Sequence, residues 1–258
     1  MGVVAATVKK ELTSLLFSPV GYIIAVLLYF ARGLEVYRLV FFASELNYDT
    51  STFATYYIIY GQSTYIFFVL VPPILTMRFF AEEKRTGSLE VLMTAPVRDL
   101  EVVLGKWVAA VLFGALLWLP TLPILSLLST DLVLSQSISY GPVLSAYFGL
   151  FLLGSMLLAV GIFTSSLTDN VLLAAIVAMI FNLGLVALAP QMLHPYLHEW
   201  FGDTYLVSVF MDQTQVYEHL ANWFGRGQID SSKIAFYVGG TVFFLFLTVR
   251  SLESRKWR

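Results

Sequence analysis

Long apolar runs alternate with short polar intervals along the chain, and the runs are continuous rather than alternating residue by residue. Crossing a hydrocarbon core takes about 20 mostly apolar residues. Six segments reach or approach that length: about 20–42, 55–77, 102–128, 142–165, 171–189 and 234–249. The stretch 132–168 holds 37 residues without a charge, enough for one span and a polar turn at 135–142. The last segment has only 16 uncharged residues, or roughly 24 Å of helix. Lys233 and Arg250 at its ends are placed to snorkel outward. Continuous runs predict helices, not the alternation of a barrel strand. The expected fold is an all-α integral membrane protein of six transmembrane helices, a single transmembrane domain over 1–258.

Ahead of the first span, Val4, Val8, Leu12, Leu15 and Leu16 share one helical face, with Lys9, Lys10, Thr13 and Ser14 on the other. This predicts an amphipathic interfacial helix over 1–19, ended by Pro19; a fraying tail is the alternative. Lys9, Lys10 and Glu11 interrupt any apolar signal-peptide core, so no cleaved leader is expected. Pro72-Pro73 in the second span and Pro120 with Pro123 in the third predict kinks, as bent levers or simply as packing devices.

Composition narrows the class. Of 258 residues, 58% are hydrophobic and 12% charged, against about 25% charged in a soluble domain. That excludes a soluble enzyme and a disordered chain. A net charge of −2 argues against nucleic acid. The absence of cysteine excludes disulfides, thiolate catalysis and cysteine-held metals. Six spans place both termini on one side, and the positive-inside rule makes that side cytoplasmic. Eleven of the 15 basic residues then lie inside; Arg32, Arg38, Arg226 and Lys233 do not.

The charges are concentrated. Residues 78–106 hold 10 of the 32 charged side chains. Gly87 breaks the helix leaving span two. Thr86 or Ser88 can cap a new short helix, near whose positive end Glu90 sits favourably. Leu89, Leu92 and Met93 form a stripe, and Ala95-Pro96 ends it. A short amphipathic helix with charged shoulders suits docking on a cytoplasmic partner or lying on lipid headgroups.

The order Thr76-Met77-Arg78, Ala81-Glu82-Glu83, Lys84-Arg85, Gly87-Ser88-Leu89-Glu90, Thr94-Ala95-Pro96 and Leu104-Gly105-Lys106 resembles the first cytoplasmic loop of ABC type-2 exporter permeases. It is most similar to the gliding-motility-associated branch and its relative in nitrous-oxide reductase maturation. Ser18-Pro19, the run Ser165-Ser166-Leu167-Thr168-Asp169-Asn170 and the tail Arg255-Lys256-Trp257-Arg258 extend the resemblance over nearly the whole chain, least of all in 191–232. The resemblance implies a multi-pass permease of the bacterial cytoplasmic (inner) membrane. It implies that ATP and magnesium are bound by separate cytoplasmic ATPase subunits, not by this chain. A second permease, identical or paralogous, completes the complex. Residues 80–100 would form the coupling loop, with Glu82, Glu83, Lys84, Arg85, Gly87, Leu89, Glu90, Leu92, Thr94, Ala95 and Pro96 at the ATPase contact. No G-x-x-x-x-G-K-[ST] occurs, so no P-loop is expected here.

Arg32, Glu35 and Arg38 recur every three residues in span one. Charges within a span cost at least about 2.5 kcal/mol and face protein or water. They form either an intramembrane polar patch, on the translocation route or at the subunit interface, or a set of headgroup-level side chains. Glu35 can pair with either arginine. The outer segment 190–232 interleaves aromatic and acidic residues and predicts short helices folded back into the outer leaflet. His194 and His198 have the four-residue spacing of metal ligands on a helix, with His219, Glu199 and Asp203 as candidate third ligands. Headgroup-level histidines are the plainer reading, and no metal site is assigned. Export driven by a partner ATPase is the leading function. An ATP-driven module that transmits force to periplasmic partners is the alternative. No H-E-x-x-H or G-x-S-x-G supports an intramembrane enzyme.

Overall fold

The computed structural model describes residues 2–46, 58–59, 61–89, 97–128, 140–188 and 215–254. Among them every regular element is helical. Helix α1 is Val3–Leu16, α2 Pro19–Leu46, α3 Gln62–Thr76 and α4 Arg78–Arg85. Then come α5 Asp99–Trp118, α6 Thr121–Leu128, α7 Tyr140–Leu167 and α8 Val171–Leu183, which continues as a π-helix over Gly184–Leu188. A short helical stretch over 216–226 precedes α9, Ser231–Glu253.

Among the described residues, five helical segments are long and apolar enough to cross a membrane: Pro19–Arg38, Ser63–Arg85, Asp99–Ile124, Tyr140–Leu167 and Ser231–Glu253. The fifth predicted span, about 171–189, corresponds to a shorter apolar helix, Val171–Val186. The last span, expected to be the short one, is 23 residues long. The helix runs past both cations that seemed to bound it. Lys233 is 1% exposed with its ammonium 5.9 Å from the Trp223 ring centre, so it is packed inward and does not snorkel.

Helix α7 is the centre of the bundle. It packs against α3, α4, α5, α8, α9 and the 216–226 stretch. Its sequence explains this, because Ala146, Gly149, Gly154, Ala159 and Gly161 present little side chain and let neighbouring backbones approach closely. Helix α2 is peripheral; Tyr22, Val26, Phe30 and Tyr37 on it are exposed. Asn170 caps α8 by accepting from the Leu172 and Leu173 N–H groups, and Asp230 caps α9 by accepting from Ser232. Contacts between Ser251 and Ser166, and between Lys106 and Glu11, gather α1, α4, the α7–α8 turn and the end of α9 at one end of the bundle, the α4 end.

Helix α3 runs through both Pro72 and Pro73, and the interruption comes at Met77. There the Ser165 hydroxyl of α7 accepts from the Phe80 and Ala81 N–H groups (both 3.1 Å) and donates to the Met77 carbonyl (3.0 Å). A side chain inserted into the helical ladder is a recognised cause of a break. In the third span the helix does break at Leu119-Pro120, while Pro123 sits in the first turn of α6, where its missing N–H is tolerated.

Candidate functional site

Helix α4 carries the charged cluster singled out in the sequence, and the four adjacent charges of 82–85 divide by direction. Glu82 and Arg85 point to solvent and approach each other at 4.0 Å. Lys84 donates to the Ser166 carbonyl at the end of α7. Glu83 turns inward, where its Oε1 accepts from Lys106 Nζ at 2.7 Å. The helix ends at Gly87, whose φ of +74° is costly for any residue with a Cβ. Beyond it Leu89 is buried in the same apolar cluster as Phe79, Phe80 and Val103. Of the predicted ATPase contacts, Glu82 and Arg85 are therefore displayed, while Glu83, Lys84 and Leu89 hold α4 onto the bundle. Glu90, Leu92, Thr94, Ala95 and Pro96 lie outside the described residues.

Lys106 is the hub of this end. It is 1% exposed, and its ammonium donates to Glu11 Oε1 (3.0 Å), Glu83 Oε1 (2.7 Å) and the Phe79 carbonyl (2.8 Å). The Phe80 ring centre lies 5.0 Å away. All three donor sites of an ammonium are thereby satisfied. Lys10 adds a second, exposed cation 3.8 Å from both carboxylates. Two positive and two negative charges thus tie α1, α4 and α5 together. Helix α1 reaches this position because Gly105 lets it approach: a Cβ there would lie 2.7 Å from Thr7 Cβ. Sequence reasoning assigned no role to Lys106, Glu11 or Ser165. The available signal was Glu11 on the Val4–Val8–Leu15 stripe, a carboxylate on a face that packs.

The polar triad of span one is split. Arg32 is fully buried and pairs with Glu35 at 3.0 Å, donates to Thr64 Oγ1 at 2.6 Å, and stacks over the Trp118 ring at 4.6 Å. Glu35 also accepts the Ser63 N–H at 2.7 Å. Arg38 is exposed and takes no part. The pair joins α2 to the start of α3 and the end of α5. Beside it, a cavity of about 420 Å³ lies between α3, α5 and α7, lined by Phe67, Trp118, Tyr147, Phe151 and Gly154 among others. Tyr147 closes the polar side through a 2.7 Å hydrogen bond with Thr121.

His194 and His198 lie outside the described residues. His219, expected at headgroup level, is fully buried, with Nδ1 3.4 Å from the Tyr237 hydroxyl. The 216–226 stretch that carries it folds against α7, which accounts for the burial. Among the described residues no three His, Asp or Glu side chains converge as a metal site.

Residues 37–211, more than half of the chain, match the family described as ABC-2 family transporter protein. The chain belongs to the ABC-2 transporter family. With its long apolar helices, the ABC-2 protein is a multi-pass membrane protein, the membrane component of a transporter. Membership implies association with an ABC ATPase. The match is to the family as a whole, not to the gliding-motility or nitrous-oxide-reductase branch. No curated protein matches the chain.

Proposed function

We propose that the chain is the transmembrane permease subunit of an ABC exporter, with the α4 end in the cytoplasm and α4 as the arm on which a separate ATPase subunit pushes. On this reading six spans cross the membrane, α8 with its π-helical extension being the fifth. The 216–226 stretch belongs to the outer side, and ATP and magnesium are bound by the partner. A second permease copy or paralogue completes the translocation path.

The observation that carries the reading is the mounting of α4. It is clamped to α7 through Ser165 and Ser166 and to α1 and α5 through Lys106, while Glu82 and Arg85 remain outward. Such a helix has charged contacts to offer and rigid connections behind it. Force applied at Glu82 and Arg85 would pass to α5 and α7 without deforming a loop.

Purification in mild detergent with counting of the associated chains is the deciding experiment. An ABC ATPase at one copy per permease is expected. Glu82→Lys with Arg85→Glu should then lower ATPase stimulation while leaving thermal stability unchanged, since an exposed pair contributes less than about 1 kcal/mol. Recovery of the chain with no ATPase, or full stimulation in that variant, would overturn the proposal. Stimulation by a periplasmic partner instead of a cargo would favour force transmission over export.

A further inference from the structure

A second cavity, about 480 Å³, opens at the α4 end between α1, the α1–α2 turn, α3, α4 and α5. Its lining is mixed. Leu15, Val20 and Ile74 supply an apolar part, and Lys10, Arg78 and Glu82 a charged one. It sits where α2 begins and α3 ends, at the limit of two candidate spans. Phe17 in the adjoining turn is 76% exposed and Leu16, at the end of α1, is 41% exposed.

Two groups in this cleft lack counterparts among the described residues. Glu83 gives Oε1 to Lys106, but its Oε2 is shielded from solvent and has no hydrogen-bond partner. A buried acceptor left unsatisfied is costly and calls for a donor. Arg78 lines the same cleft, is exposed, and makes no ion pair or hydrogen bond within the described structure. An acceptor and a guanidinium fork are thus both available in one cleft with an apolar part.

We propose that this cleft binds the phosphoethanolamine headgroup of a membrane phospholipid. The primary ammonium donates to Glu83 Oε2 and Glu82. Arg78, with Lys10, donates to the phosphate, a group that guanidinium binds well. The acyl chains leave along Leu15, Val20 and Ile74. The chemistry selects against other headgroups. A trimethylammonium has no N–H to donate, and a glycerol headgroup brings no cation to set against the carboxylates. Free phosphate would leave Glu83 unsatisfied and the apolar part unused.

The test is native mass spectrometry of the full chain, with whatever copurifies, released from nanodiscs of equal palmitoyl-oleoyl phosphatidylethanolamine, phosphatidylglycerol and phosphatidylcholine. Retention of phosphatidylethanolamine about tenfold above the other two is expected. Arg78→Ala should lower retention of all three lipids at an unchanged melting temperature, Glu82→Gln should shrink the preference for phosphatidylethanolamine, and Arg250→Ala should change neither. Equal retention of phosphatidylglycerol would mean a site that reads phosphate alone and would overturn the assignment. So would retention of no lipid, or retention unaltered by Arg78→Ala. Soluble phosphoethanolamine should compete only at concentrations at least a hundredfold above the lipid. Equal competition would show that the apolar part contributes nothing and that the ligand is not a lipid.

Discussion

Lys106→Met keeps most of the side-chain volume and removes one charge. The structure sets the size of the effect. Three hydrogen bonds of 2.7–3.0 Å are lost, and Glu11, 9% exposed, is left with Glu83 as a pair of like charges. Only Lys10 remains nearby, 3.8 Å away with its side chain 73% exposed, and exposed pairs contribute less than about 1 kcal/mol. Removing one partner from a buried ion pair costs about 3–5 kcal/mol, which in a chain of this size corresponds to a melting temperature lower by about 10 °C. The sign of the next step is diagnostic. Adding Glu11→Gln and Glu83→Gln removes the stranded charges, so the triple variant should be more stable than Lys106→Met alone. The assay is thermal unfolding in detergent followed by size-exclusion chromatography. If Lys106→Met melts like Lys10→Met, or if the triple variant is less stable than the single one, the hub is not an ion-pair lock and the reasoning fails.

Ser165→Ala strands the buried Phe80 and Ala81 N–H groups and should cost about 1–3 kcal/mol. Faster proteolysis after Lys84 and Arg85 would report the loosened arm. Gly105→Val places a Cβ against Thr7 and should lift α1 from α5, read as faster hydrogen exchange over residues 3–16 with α7 unchanged. Arg32→Lys keeps the charge but loses the fork shared between Glu35 and Thr64 and the stacking on Trp118; it should melt below wild type, where a simple charge requirement would predict no change. Combining Lys106→Met with Arg32→Met should give stability losses that add within about 0.5 kcal/mol, because the two sites share no partner.

The helices were legible because apolar continuity is a local property of the chain. Gly87 was legible for the same reason: a left-handed turn that ends a helix is fixed by a residue and its immediate neighbours. The segment ends were less so. Reading Lys233 as a boundary assumed that a cation stops a span, whereas Trp223 supplies a ring for it to pack against. Pro72-Pro73 is a local signal, whereas the opening at Met77 depends on a hydroxyl 88 positions away that competes for the ladder. The same limit applies to the site. Nothing local says which of the four adjacent charges, Glu82, Glu83, Lys84 and Arg85, faces inward. That depends on Lys106 and Ser166, which only the packing of α5 and α7 against α4 brings near.

Helix α5 connects the two charged arrangements. Lys106 near its start holds α1 and α4, and Trp118 at its end carries Arg32 and, through it, α2 and the entry to α3. Twelve residues of helix separate them, about 18 Å. A helix pinned at both ends by buried polar contacts resists bending between them, and Trp107, next to Lys106, adds to the first anchor by donating to the Ser155 carbonyl of α7. Displacement of α4 therefore reaches the Arg32 pair as movement of a rod rather than as a relay of small side-chain shifts. Burying two cations is costly in a membrane, and an apolar pair of helices would associate without that cost. The charges specify something apolar packing does not: one register of α1, α4 and α2 against α5, because a shift of a single residue would leave a buried charge unpaired.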